Sequence, residues 1–80
     1  MLTIDDKRRS VSIYARVGTR ILVARRKADL SQETFAKKVG ISRQYLSKIE
    51  NGQADICLNT LYSIAMALGK SLSELLEGVG

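Results

Sequence analysis

Apolar residues between positions 13 and 28 recur at steps of four, four, three and four (Ile13, Val17, Ile21, Ala24, Ala28), which traces one face of a helix. Ser10 or Ser12 is placed to cap it. Arg16, Arg20, Arg25, Arg26 and Lys27 fall on the other faces, so the pattern predicts a solvated basic surface, with cations of the last turn suited to the negative end of the helix dipole. A second helix begins at "SQET", where Ser31 caps and Thr34 stands in the place of the usual capping-box Glu or Gln, with Phe35, Ala36 and Val39 as its inner stripe. Gly40 stops it, because a left-handed residue at a helix C-terminus favours glycine. Ser42 restarts the chain as an N-cap, Leu46 and Ile49 point inward, and Gly52 after Asn51 is the next stop. The stretch "LNTLYSIAMALG" places Leu61, Ile64, Ala65 and Leu68 on one face before Gly69. In "SLSELLEG", Ser71 and Glu74 form a capping box ahead of Leu72, Leu75 and Leu76. The pattern predicts an all-α, compact five-helix domain over residues 11–80, with a flexible N-terminal extension over 1–10 and fraying at 78–80.

Composition narrows the chemistry. The chain has 80 residues, 45% of them hydrophobic, no proline and a formal charge of +5, which suits one small helical domain and a polyanionic partner. It has no histidine and a single cysteine, Cys57, so neither a metal site nor a disulfide framework is expected, and no cofactor. An enzyme is disfavoured further, since there is no phosphate-binding glycine loop and Cys57 has no basic partner nearby in sequence. No apolar run approaches a membrane span or follows the N-terminal charges as a signal peptide would, so the expectation is a cytoplasmic protein.

Two helices joined by a tight glycine turn are a helix-turn-helix, and its motif here spans about residues 31–52. Gln32 is followed by Ala36 and Gly40 at steps of four, and Leu46 and Ile49 stand six and nine residues beyond that glycine. Ala36 is small where the helices cross, and Leu46 and Ile49 anchor the second helix. At about 100° per residue, Gln44 then points straight out, Ser47 and Lys48 flank it, and Arg43 and Tyr45 lie on opposite edges. On an isolated helix these are ordinary surface groups. On the second helix of this motif they are base readers, because Gln pairs twice with adenine, Arg or Lys with guanine, and Ser with either. Arg43, Gln44, Ser47 and Lys48 are the candidates for base contact, while Tyr45 either packs at the edge or meets a sugar or thymine methyl. Ser31 and Gln32 open the first motif helix, where free amides and the dipole favour phosphate. Lys37 and Lys38 add nonspecific attraction or are simply solvated.

The segments "RILVAR", "LSQETFAKKVGIS", "LSKIENG", "LNTLYSIAMALG" and "SLSELL" together resemble the lambda repressor and Cro-like helix-turn-helix family, also called the XRE family, over roughly residues 13 to 77. The resemblance implies a five-helix domain that binds operator DNA, usually as a two-fold dimer. It also implies phosphate contacts at Ser42 and Asn51, and a structural ion pair between Arg25 and Glu50. Losing one partner of a buried pair costs about 3 to 5 kcal/mol, against about 0 to 1 for an exposed pair. One departure is "QADICL", where many relatives carry a basic residue and a proline, so a phosphate contact from this loop is not expected. Cys57 likewise replaces the commoner capping serine. Ile56, Leu58, Leu72 and Val79 either extend a dimer surface or close the core.

The function expected is a sequence-specific transcriptional regulator that binds double-stranded, palindromic operator DNA as a homodimer and takes no small-molecule ligand. It would be nucleoid-associated when bound. A restriction-modification controller, a phage-type repressor and a plasmid or chromosomal regulator all fit. The alternative is an antitoxin or another protein-interaction module, although no surface or tail for a toxin stands out.

Overall fold

The computed structural model describes residues 12–77, which fold as α1 (Ile13–Lys27), α2 (Gln32–Val39), α3 (Arg43–Glu50), α4 (Leu58–Ala67) and α5 (Leu72–Leu76), with no strand among the described residues. The extension predicted at 1–10, the alternative cap Ser10 and the dimer candidate Val79 lie outside them.

Local chemistry sets the helix ends. Ser12, Ser31, Ser42 and Ser71 each accept a backbone N–H with their side-chain oxygen, from Tyr14, Thr34, Tyr45 and Glu74 respectively. At Ser71 the box is reciprocal, since Glu74 Oε1 accepts the Ser71 N–H at 2.9 Å. That backbone bond, followed by the one to the Ser71 side chain, holds the Glu74 carboxyl below its ordinary value. α4 has no side-chain cap bond, and the Cys57 sulfur instead lies 3.2 Å from Thr60 Oγ1.

The core draws on every helix: Val17 and Ile21 of α1, Phe35 and Ala36 of α2, Leu46 and Ile49 of α3, Leu61, Ile64 and Ala65 of α4, and Leu75 of α5. Burying each of the larger side chains contributes about 1.5 to 3 kcal/mol. Phe35, Leu46 and Ile49 are fully enclosed, so the angle between the motif helices is held from beneath by side chains with no slack.

α1 corrects the simple stripe. Ile13 is 56% exposed, and Ala28 lies past the end of the helix and is exposed. The buried positions are Val17, Gly18, Ile21 and Arg25. The inner face turns this way because the C-terminal end of α3 crosses α1 at Gly18: a Cβ there would stand 2.1 Å from the carbonyl oxygen of Ile49. The contact continues at Gly52, whose φ of +72° is left-handed and whose missing Cβ would meet the Ala15 Cα at 2.6 Å. The solvated basic surface is also revised. Arg20 Nε donates to the Leu75 carbonyl at 3.1 Å and its Nη2 to that of Glu74 at 3.2 Å, so this cation satisfies the end of α5 and ties it to α1. Arg25 leaves the surface altogether.

Candidate nucleic-acid interface

Gly40 makes the motif turn. With φ +92° and ψ +29°, its N–H donates to Ala36 O at 2.8 Å, and the N–H of Ile41 donates to the same oxygen at 3.0 Å. The C-terminus of α2 is thus closed within two residues, and Ser42 caps α3 immediately afterwards. No atom lies within 4 Å of a Cβ built at Gly40, so its backbone angle, not crowding, selects glycine there.

The outer face of α3 presents Arg43, Gln44 and Lys48, all exposed, with Ser47 half-buried beside them. Tyr45 is the edge residue: it is half-buried, and its hydroxyl donates to the Asp55 carbonyl at 2.9 Å, which fastens α3 to the loop before α4. Ser42 Oγ accepts the Tyr45 N–H at 3.0 Å, and an accepting serine keeps its hydroxyl hydrogen for an outside oxygen such as a phosphate. Ser31 is placed differently, because its hydroxyl also lies 3.0 Å from Thr34 Oγ1. Asn51 is exposed at the far end of α3, its N–H donating to Ser47 O at 3.0 Å.

Behind this face lies a polar chain. Arg25 Nε donates to Glu50 Oε2 at 2.6 Å, Nη2 to Glu50 Oε1 at 3.0 Å and Nη1 to the Leu30 carbonyl at 2.7 Å. The two side chains are 8% and 1% exposed. Glu50 Oε1 also accepts from Gln32 Nε2 at 3.0 Å, and Gln32 Oε1 faces Arg43 Nη1 at 3.5 Å. Gln32 is half-buried and its amide nitrogen is engaged inside the domain. No buried side-chain nitrogen or oxygen among the described residues lacks a partner.

The residues considered for a dimer surface separate. Ile56 and Leu72 are half-buried and pack against the core, while Leu58 is 71% exposed. Tyr62 at 52% and Met66 at 60% stand one and two turns beyond Leu58, forming an apolar stripe on the outside of α4. The inner stripe of the same helix, Leu61, Ile64, Ala65 and Leu68, does not include Tyr62 and Met66. The signal was a second step-of-four series in "LNTLYSIAMALG", on a helix with no charged residue. Cys57, exposed just ahead of the stripe, has its thiol held below the ordinary value chiefly by the Thr60 hydroxyl. Among the described residues no cluster of His, Cys, Asp and Glu is placed to hold a metal, and no helix is long and apolar enough to cross a membrane.

Comparison with known proteins agrees with this architecture. A family model described as "Helix-turn-helix" matches residues 21–75. Control protein C.MunI of Mycoplasma sp is 41% identical over 68 residues, covering 84% of this chain and 92% of that protein. An uncharacterized HTH-type transcriptional regulator, y4dJ, of Sinorhizobium fredii is 42% identical over 59 residues, covering 74% and 77% respectively. Among solved structures, the restriction-modification controller protein C.AhdI of Aeromonas hydrophila superposes with a TM-score of 0.75 at 34% identity, over 78% of this chain and 94% of that one.

Proposed function

The chain belongs to the helix-turn-helix family of DNA-binding transcription regulators, and from that membership we propose that it binds a two-fold operator as a homodimer with α3 in the major groove. The observation that carries this is the outer face of α3: Arg43, Gln44 and Lys48 stand exposed side by side, on a helix whose inner face is locked by Leu46 and Ile49. A helix presented rigidly with donors and acceptors outward suits base edges, which reward fixed geometry. Arg43 and Gln44 specify sequence, Ser47 and Lys48 add to the contact, and Ser31, Ser42 and Asn51 serve the backbone. The similarity to C.MunI and C.AhdI supports a controller protein, and the C.AhdI description supports the genes of a restriction-modification system as the target.

Selection of bound duplexes from a random pool supplies the operator on which this is tested. On that operator, Arg43→Ala and Gln44→Ala are each expected to cost about 1 to 3 kcal/mol and to relax preference at one base position. Affinities are compared at one salt concentration across single-base variants, since the phosphate term varies with ionic strength. Base preference unchanged in both variants would remove α3 as the reader.

The dimer surface we propose is the α4 stripe of Leu58, Tyr62 and Met66. Two copies of a chain of charge +5 repel, and α4 is the one described helix that carries no charge, so its outer stripe brings no charge of its own to the contact, with Lys38 of α2 bordering it beside Tyr62 and Met66. Half-sites would lie about one helical turn apart, 10 to 10.5 base pairs. Met66→Lys, which sets like charges against each other across a two-fold axis, is expected to shift sedimentation toward the monomer while leaving the helical signal intact. A variant that still sediments as the parent does would place the dimer contact elsewhere.

A further inference from the structure

Tyr45 stands in the first turn of α3, next to Gln44, and its ring is half-buried against the core. The hydroxyl therefore emerges at a fixed point, where it donates to the Asp55 carbonyl at 2.9 Å. The segment it meets is itself held in place. Gly52 lies against the backbone of Ala15, and the Gln53 N–H donates to Lys48 O at 2.8 Å. Beyond them Ala54 and Ile56 pack on the core and alternate with exposed Gln53, Asp55 and Cys57, the period of an extended chain. This segment leads directly into α4 at Leu58.

α3 packs mainly on α1 and α2, and α4 on α2 and α5, so the reading helix and the apolar-striped helix are joined chiefly by residues 51–57. The Tyr45 bond braces that link from the side, fastening the first turn of α3 to the run that enters α4. In a two-fold dimer closed through α4, the path between the two α3 helices crosses this link twice, once in each copy. Play in it would let the two reading faces turn relative to each other. We propose that Tyr45 is a positioning residue for half-site spacing, its hydroxyl setting the start of α3 relative to α4 through the Asp55 carbonyl. This rests on the reading of α3 as the groove helix and of α4 as the dimer surface. It differs measurably from a phosphate contact by the same hydroxyl, which would be felt equally on every operator.

The test uses Tyr45→Phe, which keeps the ring and removes the hydroxyl, and Asp55→Asn, which removes the neighbouring charge and keeps the backbone carbonyl. Affinity is measured at one salt concentration for the selected operator and for copies with one base pair inserted or deleted between the half-sites, a change that turns one half-site by about 34 to 36° against the other. Thermal melting of each protein confirms that it is folded. In Tyr45→Phe the preference for the selected spacing is expected to narrow about two- to fivefold, the lower part of what one hydrogen bond supplies, because this one lies at the surface. Base preference within each half-site is expected to stay as in the parent, and Asp55→Asn is expected to keep the parent's spacing preference. An unchanged spacing preference in Tyr45→Phe, or an equal loss on every spacing, would overturn the positioning role while leaving α3 and α4 in theirs. Relaxation by Asp55→Asn to the same extent would overturn it too, by placing the effect in the charge and not in the bond. If one protein saturates each duplex, or Met66→Lys sediments as the parent does, the dimer reading fails and the proposal falls with it.

Discussion

Glu50→Ala is expected to lower the free energy of unfolding by about 3 to 5 kcal/mol, because it leaves the Arg25 guanidinium enclosed without a counter-charge. For a domain of 80 residues, with total stability on the order of 4 to 12 kcal/mol, that is a large fraction. The loss should also spread beyond the pair. Gln32 Nε2 loses its acceptor, and the bond of Arg25 to the Leu30 carbonyl is no longer braced from the other side. Chemical denaturation of Arg25→Met, Glu50→Leu and the double variant resolves the contribution. The apolar double replacement should cost clearly less than the two single losses added together, since it removes both charges and refills the space. Fully additive losses would mean that the two side chains do not act as a pair.

Gly18→Ala should destabilise the domain by about 3 kcal/mol, the upper end of what overpacking in a tight core costs. The sign is what makes this informative. Gly18 lies inside α1, where alanine is ordinarily better than glycine by about 1 kcal/mol. Here the added Cβ would stand 2.1 Å from Ile49 O and 3.1 Å from Glu50 O, both backbone atoms that move only if α3 moves as a whole. The thermal midpoint is expected to fall on the order of 10 to 20 °C. A midpoint that rises would mean that α1 and α3 do not approach so closely. Because α3 carries the reading face, any shift that relieves the clash should also weaken operator binding.

The helix ends were legible in the chain because their chemistry is local. Ser31, Ser42 and Ser71 each bond an amide three residues on, and Gly40, Gly52 and Gly69 mark turns through their own backbone angles. The inward set Leu46 and Ile49 follows from helical spacing, and with it the outward direction of Arg43, Gln44 and Lys48. Arg25 and Glu50, 25 residues apart, carry no such local signal, and their pairing came from resemblance to a family rather than from spacing.

By itself, then, the sequence determined which segments are helices, where α2, α3 and α5 begin, where α2, α3 and α4 stop, and which face of α3 is polar, since all of these depend on residues within one or two turns of one another. Only the tertiary structure decided what the polar residues do. Arg20 serves a carbonyl 55 positions away, Gln32 a carboxylate 18 positions away, and Gly18 is required by the backbone of another helix. Leu61 and Tyr62 are adjacent and both apolar, yet one is enclosed and the other stands outside, because where α4 packs is set by its neighbours and not by its own composition. Local rules specify a helix and its two faces. Which face meets which partner depends on all the helices at once, and only the folded chain brings those groups together.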